Sequence, residues 1–259
     1  MVTPAIEKGM AVLRLLADAD QPLSFGQLAA RAVMARSSLH DVCSSLVATG
    51  LVEKTPQGQY TIGLSVVELA RRRLSSMEIV STFQAVCAAA SPSPETIVLS
   101  VMSGSDVIYV SFIHGTRPLA VRYEIGMRLP AAFTASGKAM LATLPDKRVR
   151  ELVGASVNNP LAGGNHKTVA VLLRELEDTR RRRYSIDDEE TARGMTCIGA
   201  PVFAGDDPHA AGAVAISLVK SAADWFDTGT RDRVCEIAAE VSRLLGATAG
   251  WWTAGFAER

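Results

Sequence analysis

An α+β fold in two parts is what this chain of 259 residues predicts, and three observations predict it. The first seventy-five residues show helical apolar spacing three times over and then a short hairpin pattern. From about Met77 the texture changes to strand-like runs with helices at intervals, the pattern of a largely antiparallel sheet. The composition, 48% hydrophobic and 21% charged, is that of a globular protein long enough to bury a core in each part.

In the first part, "AIEKGMAVLRLLADADQP" places Ile6, Met10, Leu13 and Ala17 on one helical face and stops before Asp20 and Pro22. "LSFGQLAARA" makes a second helix, with Ser24 as N-cap and Phe25, Leu28, Ala29 and Ala32 inward. After "VMA", Leu39, Val42, Cys43, Leu46 and Val47 recur at the spacing of a third helix, which Gly50 ends. "LVEKTPQGQYTIG" reads as two short strands around the turn "TPQG".

Helix, helix, turn, helix, hairpin is the layout of a winged helix-turn-helix, whose second paired helix enters the DNA major groove. With its apolar face inward, the third helix leaves Arg36, Ser37, Ser38, His40, Asp41, Ser44 and Ser45 outward. Arg36, Ser37, Ser38, His40 and Ser44, with Lys54 on the hairpin, form the expected DNA-binding set, short hydroxyls and cations suited to phosphates and base edges. The competing reading is a solvated face of a small helical bundle. "GLSVVELARRRLSS" continues as a linker helix, and Arg71 to Arg73 read as its solvated end, complementing the helix dipole. The expected division is 1–62 for the winged helix, 63–78 for the linker and 79–259 for the second part.

In that second part "IVSTFQAVCAAA" is helical and "SPSP" ends it. "TIVLSVMSG", "DVIYVSFIHG" and "LAVRYEIG" read as strands, and "GKAMLATLP" as a helix. "VAVLLRELEDTRRRR" is helical more strongly, with Val169, Leu172, Leu173 and Leu176 in phase. "MTCIGAPVFA" and "AAGAVAISLV" are strands around "GDDPH", before an amphipathic helix aligning Val234, Ile237, Val241, Leu244 and Leu245.

Several classes are excluded or weakened. No apolar run approaches the roughly 20 residues of a membrane span, and "MVTPAIEKGM" carries an acid and lacks a signal-peptide core, so a cytoplasmic protein is expected. Net charge is zero; residues 1–75 hold eight Lys and Arg against six Asp and Glu, an asymmetry too small to assign a nucleic-acid partner by itself. The cysteines, Cys43, Cys87, Cys197 and Cys235, form no C-x-x-C pair, which speaks against a structural zinc site or a disulfide framework. Gly137-Lys138 is not a P-loop, since the upstream Gly is missing and Ala139 stands where Ser or Thr would bind magnesium. Neither cofactor nor metal is expected.

The motifs themselves resemble a known family. "RSSLHDVCSSLVATGLVEK…GQYTIGLSVVELA" resembles the N-terminal region of the IclR family of bacterial transcription regulators, from recognition helix through wing to linker. "GMRLPAAFTASGKAMLATLP" and "RRYSIDDEETARGMTCIGAPVF…AGAVAISL" are similar to two segments of that family's effector domain. The resemblance spans nearly the whole chain. It implies a GAF-like sheet with helices on its faces, holding a small organic acid, and a homodimer or dimer of dimers on operator DNA, with repression and activation both open. Two departures stand out: Val33 where the family's turn has Gly, for which a positive φ would be strained, and Asp41 where an Arg follows the His.

The resemblance also implies an effector site of Asp187, Cys197, Ser217 and the Ala135 and Ser136 backbone. The two amides would neutralise a ligand carboxylate, Ser217 would donate to it, and Cys197 would line the wall. Asp187 would accept from a ligand hydroxyl or be protonated. Val219 replaces a second family Ser, so the ligand is expected to be an acid with an apolar or aromatic body. Within the acidic run, Glu189 and Glu190 are expected to cap or to pair with nearby arginines, and Asp188 to be solvated. Arg180 to Arg183 read as a solvated helix end that replaces the family's usual Gly before Tyr184.

Rival readings of the same stretch fail on chemistry. Adjacent acids in a strand-to-loop transition point alternately and have no EF-hand spacing, so Asp187 to Glu190 make no metal site. A catalytic Cys197 needs a positioned base. An enzyme on a GAF-like scaffold would need a nucleophile and base in the pocket, and none of His40, His114, His166 and His209 falls in the matched segments. A winged helix serving only protein interaction is the third reading, separated from the first by binding to the chain's own upstream DNA.

Overall fold

Pro4 opens the first helix, α1 (Pro4–Ala17), where a proline's fixed φ suits the first turn. The computed structural model describes residues 3–117, 122–154, 157, 167–220 and 228–248. By their contacts they divide into two units, Met1–Ser76 and Met77–Arg259. In the first unit α2 (Phe25–Arg31) begins with a capping box, Ser24 and Gln27 each satisfying the other's backbone amide. Then come α3 (Arg36–Ala48), the hairpin β1 (Val52–Lys54) and β2 (Tyr60–Ile62), and α4 (Leu64–Ser75). Val12, Leu16, Leu28, Leu39, Cys43, Leu46, Val52 and Tyr60 form the core.

One expectation about this unit is corrected. The buried face of α1 is Val12 and Leu16, one position round from the expected stripe, and Ile6 and Met10 are exposed. Four 3.6-period positions fit either stripe, and the packing partners decide between them. Val33 takes no positive φ, since Arg183 and Glu189 are the positive-φ non-glycine residues of the described chain; Ala32 ends α2 in extended conformation and Val33 points to solvent.

The second unit begins with α5 (Glu78–Ala89) and is built on a six-stranded antiparallel sheet. Its strands are β3 (Thr96–Ser103), β4 (Asp106–Ile113), β5 (Arg128–Pro130), β6 (Ser185–Asp188), β7 (Met195–Val202) and β8 (Gly212–Val219), in the order β5-β4-β3-β8-β7-β6. Pairing β3 with β8 joins two hairpin systems more than a hundred residues apart in sequence. The helices α6 (Ala135–Leu141), α7 (Asp146–Val153), α8 (Val169–Arg182) and α9 (Thr228–Leu244) complete it. The side chains of α6, α7 and α8 share one core cluster with Val98, Cys197, Ala213 and Ala215 of the sheet.

The expected strand "LAVRYEIG" is corrected: residues 122–126 belong to no strand, the edge strand is Arg128–Pro130, and residues 119–121 lie outside the described chain, as does His166. The helix α7 went unread because its eight residues carry three basic and two acidic side chains and too few apolar ones to show a period.

Candidate functional site

On the first unit the sequence-predicted residues gather on α3 and the hairpin. Arg36, Ser37, His40, Asp41, Ser44 and Lys54 are exposed, and Ser38 is half-buried. No side chain caps the start of α3, so its first amides remain available to an anion. The Arg36 guanidinium lies 5.3 Å from the centre of the Phe25 ring, and His40 meets the same ring edge-on at 6.1 Å. Phe25, assigned inward from sequence, is thus a half-buried platform for two polar side chains. Lys8 of α1 donates to Ser38 Oγ at 3.4 Å, and the Lys54 ammonium sits 5.0 Å from the Tyr60 ring centre. Neither Lys8 nor Phe25 was legible as a neighbour of α3, because both arrive from other helices.

On the second unit the sheet register aligns the expected residues. Asp187 pairs with Cys197 across β6 and β7, and Cys197 pairs with Ser217 across β7 and β8. Directly opposed residues of an antiparallel sheet point to the same face, so the three side chains form one row. Thr96 of β3 continues it. Cys197 Sγ lies 3.2 Å from Ser217 Oγ.

The start of α6 sits over the next row, Ser185, Gly199 and Ala215. Ser185 Oγ donates to Ala135 O, and a Cβ on Gly199 would meet the Ala135 carbonyl carbon at 2.7 Å. Only glycine at 199 admits the helix this close. Thr134 caps α6 by accepting from the Gly137 amide at 3.0 Å. The Ala135 and Ser136 amides donate to no acceptor among the described residues, although both residues are buried.

The acidic run is engaged within its own chain, and one expectation about it is corrected. Asp187 already accepts from the Glu190 amide at 2.8 Å, from the Thr191 amide at 3.3 Å and from the Thr191 hydroxyl, so its carboxylate organises the turn after β6. Burial pushes its pKa up to about 6, partly opposed by the Thr191 hydroxyl and by Lys138. Glu190 pairs with lysines rather than arginines: Lys138 and Lys167 both donate to it, and both also reach Glu175. Glu189 and Asp188 share Lys220, at 2.8 and 2.7 Å; Glu189 also caps the turn by accepting from the Gly194 amide at 2.7 Å, and Asp188 is exposed, both as expected. Arg180 is no solvated terminus. It donates to Ala142 O, Leu144 O and Asp146, fastening α8 to the chain between α6 and α7.

Two tyrosines that sequence reasoning passed over stand beside the row. Tyr109 of β4 and Tyr123 are buried with ring centres 5.5 Å apart, and Tyr123 Oη is 2.5 Å from Ser217 Oγ. Burial drives both phenols well above their ordinary pKa, so both are neutral. Cys197 is pushed up to about 12, chiefly by burial and then by Asp187, which leaves a thiol and no nucleophile at neutral pH. The histidines at 40, 114 and 209 lie in none of these contacts. Among the described residues no group of three or more His, Cys, Asp or Glu is placed to hold a metal, and no helix is long and apolar enough to cross a membrane.

Comparison with known proteins agrees with both halves. Residues 5–56 match the IclR helix-turn-helix domain, and residues 71–245 match the bacterial transcriptional regulator IclR C-terminal domain. The chain is 30% identical over 250 residues to the glycerol operon regulatory protein of Streptomyces griseus, covering 94% of this chain and 96% of that one. It is 26% identical over 241 residues to the transcriptional repressor IclR of Escherichia coli (strain K12), covering 92% and 85%. A crystal structure of an IclR homolog from Microbacterium hydrocarbonoxydans complexed with 4-hydroxybenzoate superposes with a TM-score of 0.73 at 20% identity, covering 93% and 98%. With a helix-turn-helix domain at one end and a sheet domain of the matching kind at the other, the chain belongs to the IclR family: it is a DNA-binding transcription regulator with an effector-binding C-terminal domain, and not an enzyme.

Proposed function

We propose that the effector of this regulator is a small carboxylic acid with an aromatic or apolar body, bound over the row Asp187, Cys197 and Ser217. The observation that carries this reading is the pair of buried, unmatched amides at Ala135 and Ser136, beside a row whose hydroxyl and thiol face the same side of the sheet. An anion needs donors, and those amides are donors beside the Ser217 hydroxyl. Tyr109 and Val219 supply the apolar character. The 4-hydroxybenzoate held by the Microbacterium homolog is an acid of this class. Asp187 serves the site by fixing the turn beside it.

In the same reading residues 1–62 bind operator DNA through Arg36, Ser37, Ser38, His40, Ser44 and Lys54, residues 63–78 link, and residues 79–259 sense the effector. The regulator acts as a homodimer or a dimer of dimers. A single winged helix binds weakly, and paired half-sites about 34 Å apart, or a multiple of that, are the usual remedy. Ile6, Met10, Leu64 and Val67 of α1 and α4 are exposed apolar side chains of the kind a partner copy would cover.

Ser217→Ala tests the effector site. Bound to its own upstream DNA, the variant should need more effector for the same change in DNA binding, by about 1–3 kcal/mol in effector affinity, the cost of one unmet buried polar group. Its effector-free DNA binding should stay as it was. An unaltered effector response in Ser217→Ala sinks the reading.

A further inference from the structure

Tyr123 is the one buried side chain between Arg122 and Pro130, and Arg122, Glu124 and Ile125 around it are exposed. Residues 122–126 lie in no strand; among the described residues the backbone ties here are Gly126 N to Tyr109 O at 2.8 Å, Tyr109 N to Met127 O at 3.0 Å and Met127 N to Glu124 O at 3.1 Å. The phenol therefore enters the sheet face as a single peg from an exposed stretch. Its ring leans on Tyr109 at 54°, and its hydroxyl meets Ser217 Oγ, whose other neighbour is Cys197 Sγ. The polar end of the row is thus satisfied from within the chain by a ring carrying one hydroxyl.

We propose that Tyr123 is an internal occupant of a phenol-sized binding site, and that a small hydroxyaromatic ligand takes its place against Ser217 and Cys197 with Tyr109 as the aromatic wall. This rests on the reading of the row as the effector site and adds what the ligand must carry. A ligand that removes Tyr123 has to return what Tyr123 supplied. With its carboxylate at the Ala135 and Ser136 amides, an acid that brings no hydroxyl leaves Ser217 only the Cys197 thiol in a dry place, and a ring without one does the same. A hydroxylated ring restores the bond and the contact with Tyr109. Cys197 and Ala215 beside Ser217 are small, which leaves the breadth of the site to whichever ring stands there.

The test uses the full chain, calorimetry and phenol as the probe. Tyr123→Ala empties the place, and a vacated apolar cavity of ring size takes up aromatic solutes; phenol should bind this variant at least about tenfold more tightly than the wild type, where Tyr123 competes. Adding Ser217→Ala to Tyr123→Ala should lower phenol affinity by about fivefold or more and leave toluene binding unchanged. Equal phenol affinity in wild type and folded Tyr123→Ala overturns the inference. Tyr123→Phe keeps the ring packing and loses only the hydroxyl contact, so it guards against misfolding of the alanine variant: its phenol affinity should exceed that of wild type by about fivefold, and no increase overturns the inference as well. Phenol taken up by Tyr123→Ala with no change in its affinity for the upstream DNA leaves the internal occupant standing and overturns the effector reading instead.

Discussion

Asp187 carries a carboxylate that is buried and at the same time used, holding two amides and a hydroxyl of the turn after β6. Its pKa of about 6, against an ordinary 3.8, means the folded state holds the proton more tightly than the unfolded one. Such a group favours the native state fully below pH about 4, and that contribution is lost as the pH rises through about 6. Asp187→Asn keeps an acceptor for the two amides and does not titrate. Urea unfolding of both proteins should show wild-type stability declining relative to the variant between pH 4 and 6, by on the order of 2 kcal/mol; parallel curves would place the titration elsewhere. Arg183 is a second residue under constraint, closing α8 at a φ of 69°, in the left-handed region that favours glycine. Arg183→Gly should raise the unfolding free energy by about 0.5–1 kcal/mol in thermal denaturation, less whatever the arginine's own contacts contribute.

At the scale of elements, the question is what holds a seven-residue helix in place. Close approach is one answer: Gly199 admits Ala135, and a Cβ on Gly137 would meet Ala131 O at 2.2 Å. The other is the cluster of Lys138, Lys167, Glu175 and Glu190, which ties α6, the start of α8 and the turn after β6 together. Lys138 is almost wholly enclosed; burial works against its charge, but Glu190 and Glu175 outweigh it and hold its pKa above the ordinary value. Removing one member of such a cluster leaves opposite charges underpaired in low dielectric. Lys138→Met should cost about 2–4 kcal/mol in chemical denaturation, below the full figure for a buried pair because Lys167 still meets both glutamates. A loss under 0.5 kcal/mol would show that the turn and α6 are held by packing alone.

At the scale of the whole molecule, DNA binding by a chain of zero net charge depends on where the charges stand. Arg36 is the exposed cation at the start of α3, and Asp41 is an exposed anion on the same helix. Arg36→Ala should weaken binding to the upstream DNA and flatten its salt dependence by about one unit of slope, the loss of one phosphate contact. Asp41→Arg should strengthen binding and steepen that dependence. Titrations at several salt concentrations read both effects; an unchanged slope in Asp41→Arg would place residue 41 away from phosphate.

By itself the sequence determined the two-part α+β organisation and the helix-turn-helix, while Asp187, Cys197 and Ser217 came from its resemblance to the IclR family. These rest on local periodicity, turn chemistry and motifs, which each segment expresses on its own. Only the tertiary structure decided which stripe of α1 is buried, that Lys138 and Lys167 rather than arginines meet Glu190, and that Asp187 is engaged by its own turn. It also brought Tyr123 to Ser217 across 94 positions of sequence. Side-chain partners of that kind are fixed by sheet register and helix docking. The strand order that sets them joins β3 to β8, a long-range pairing that no local pattern encodes.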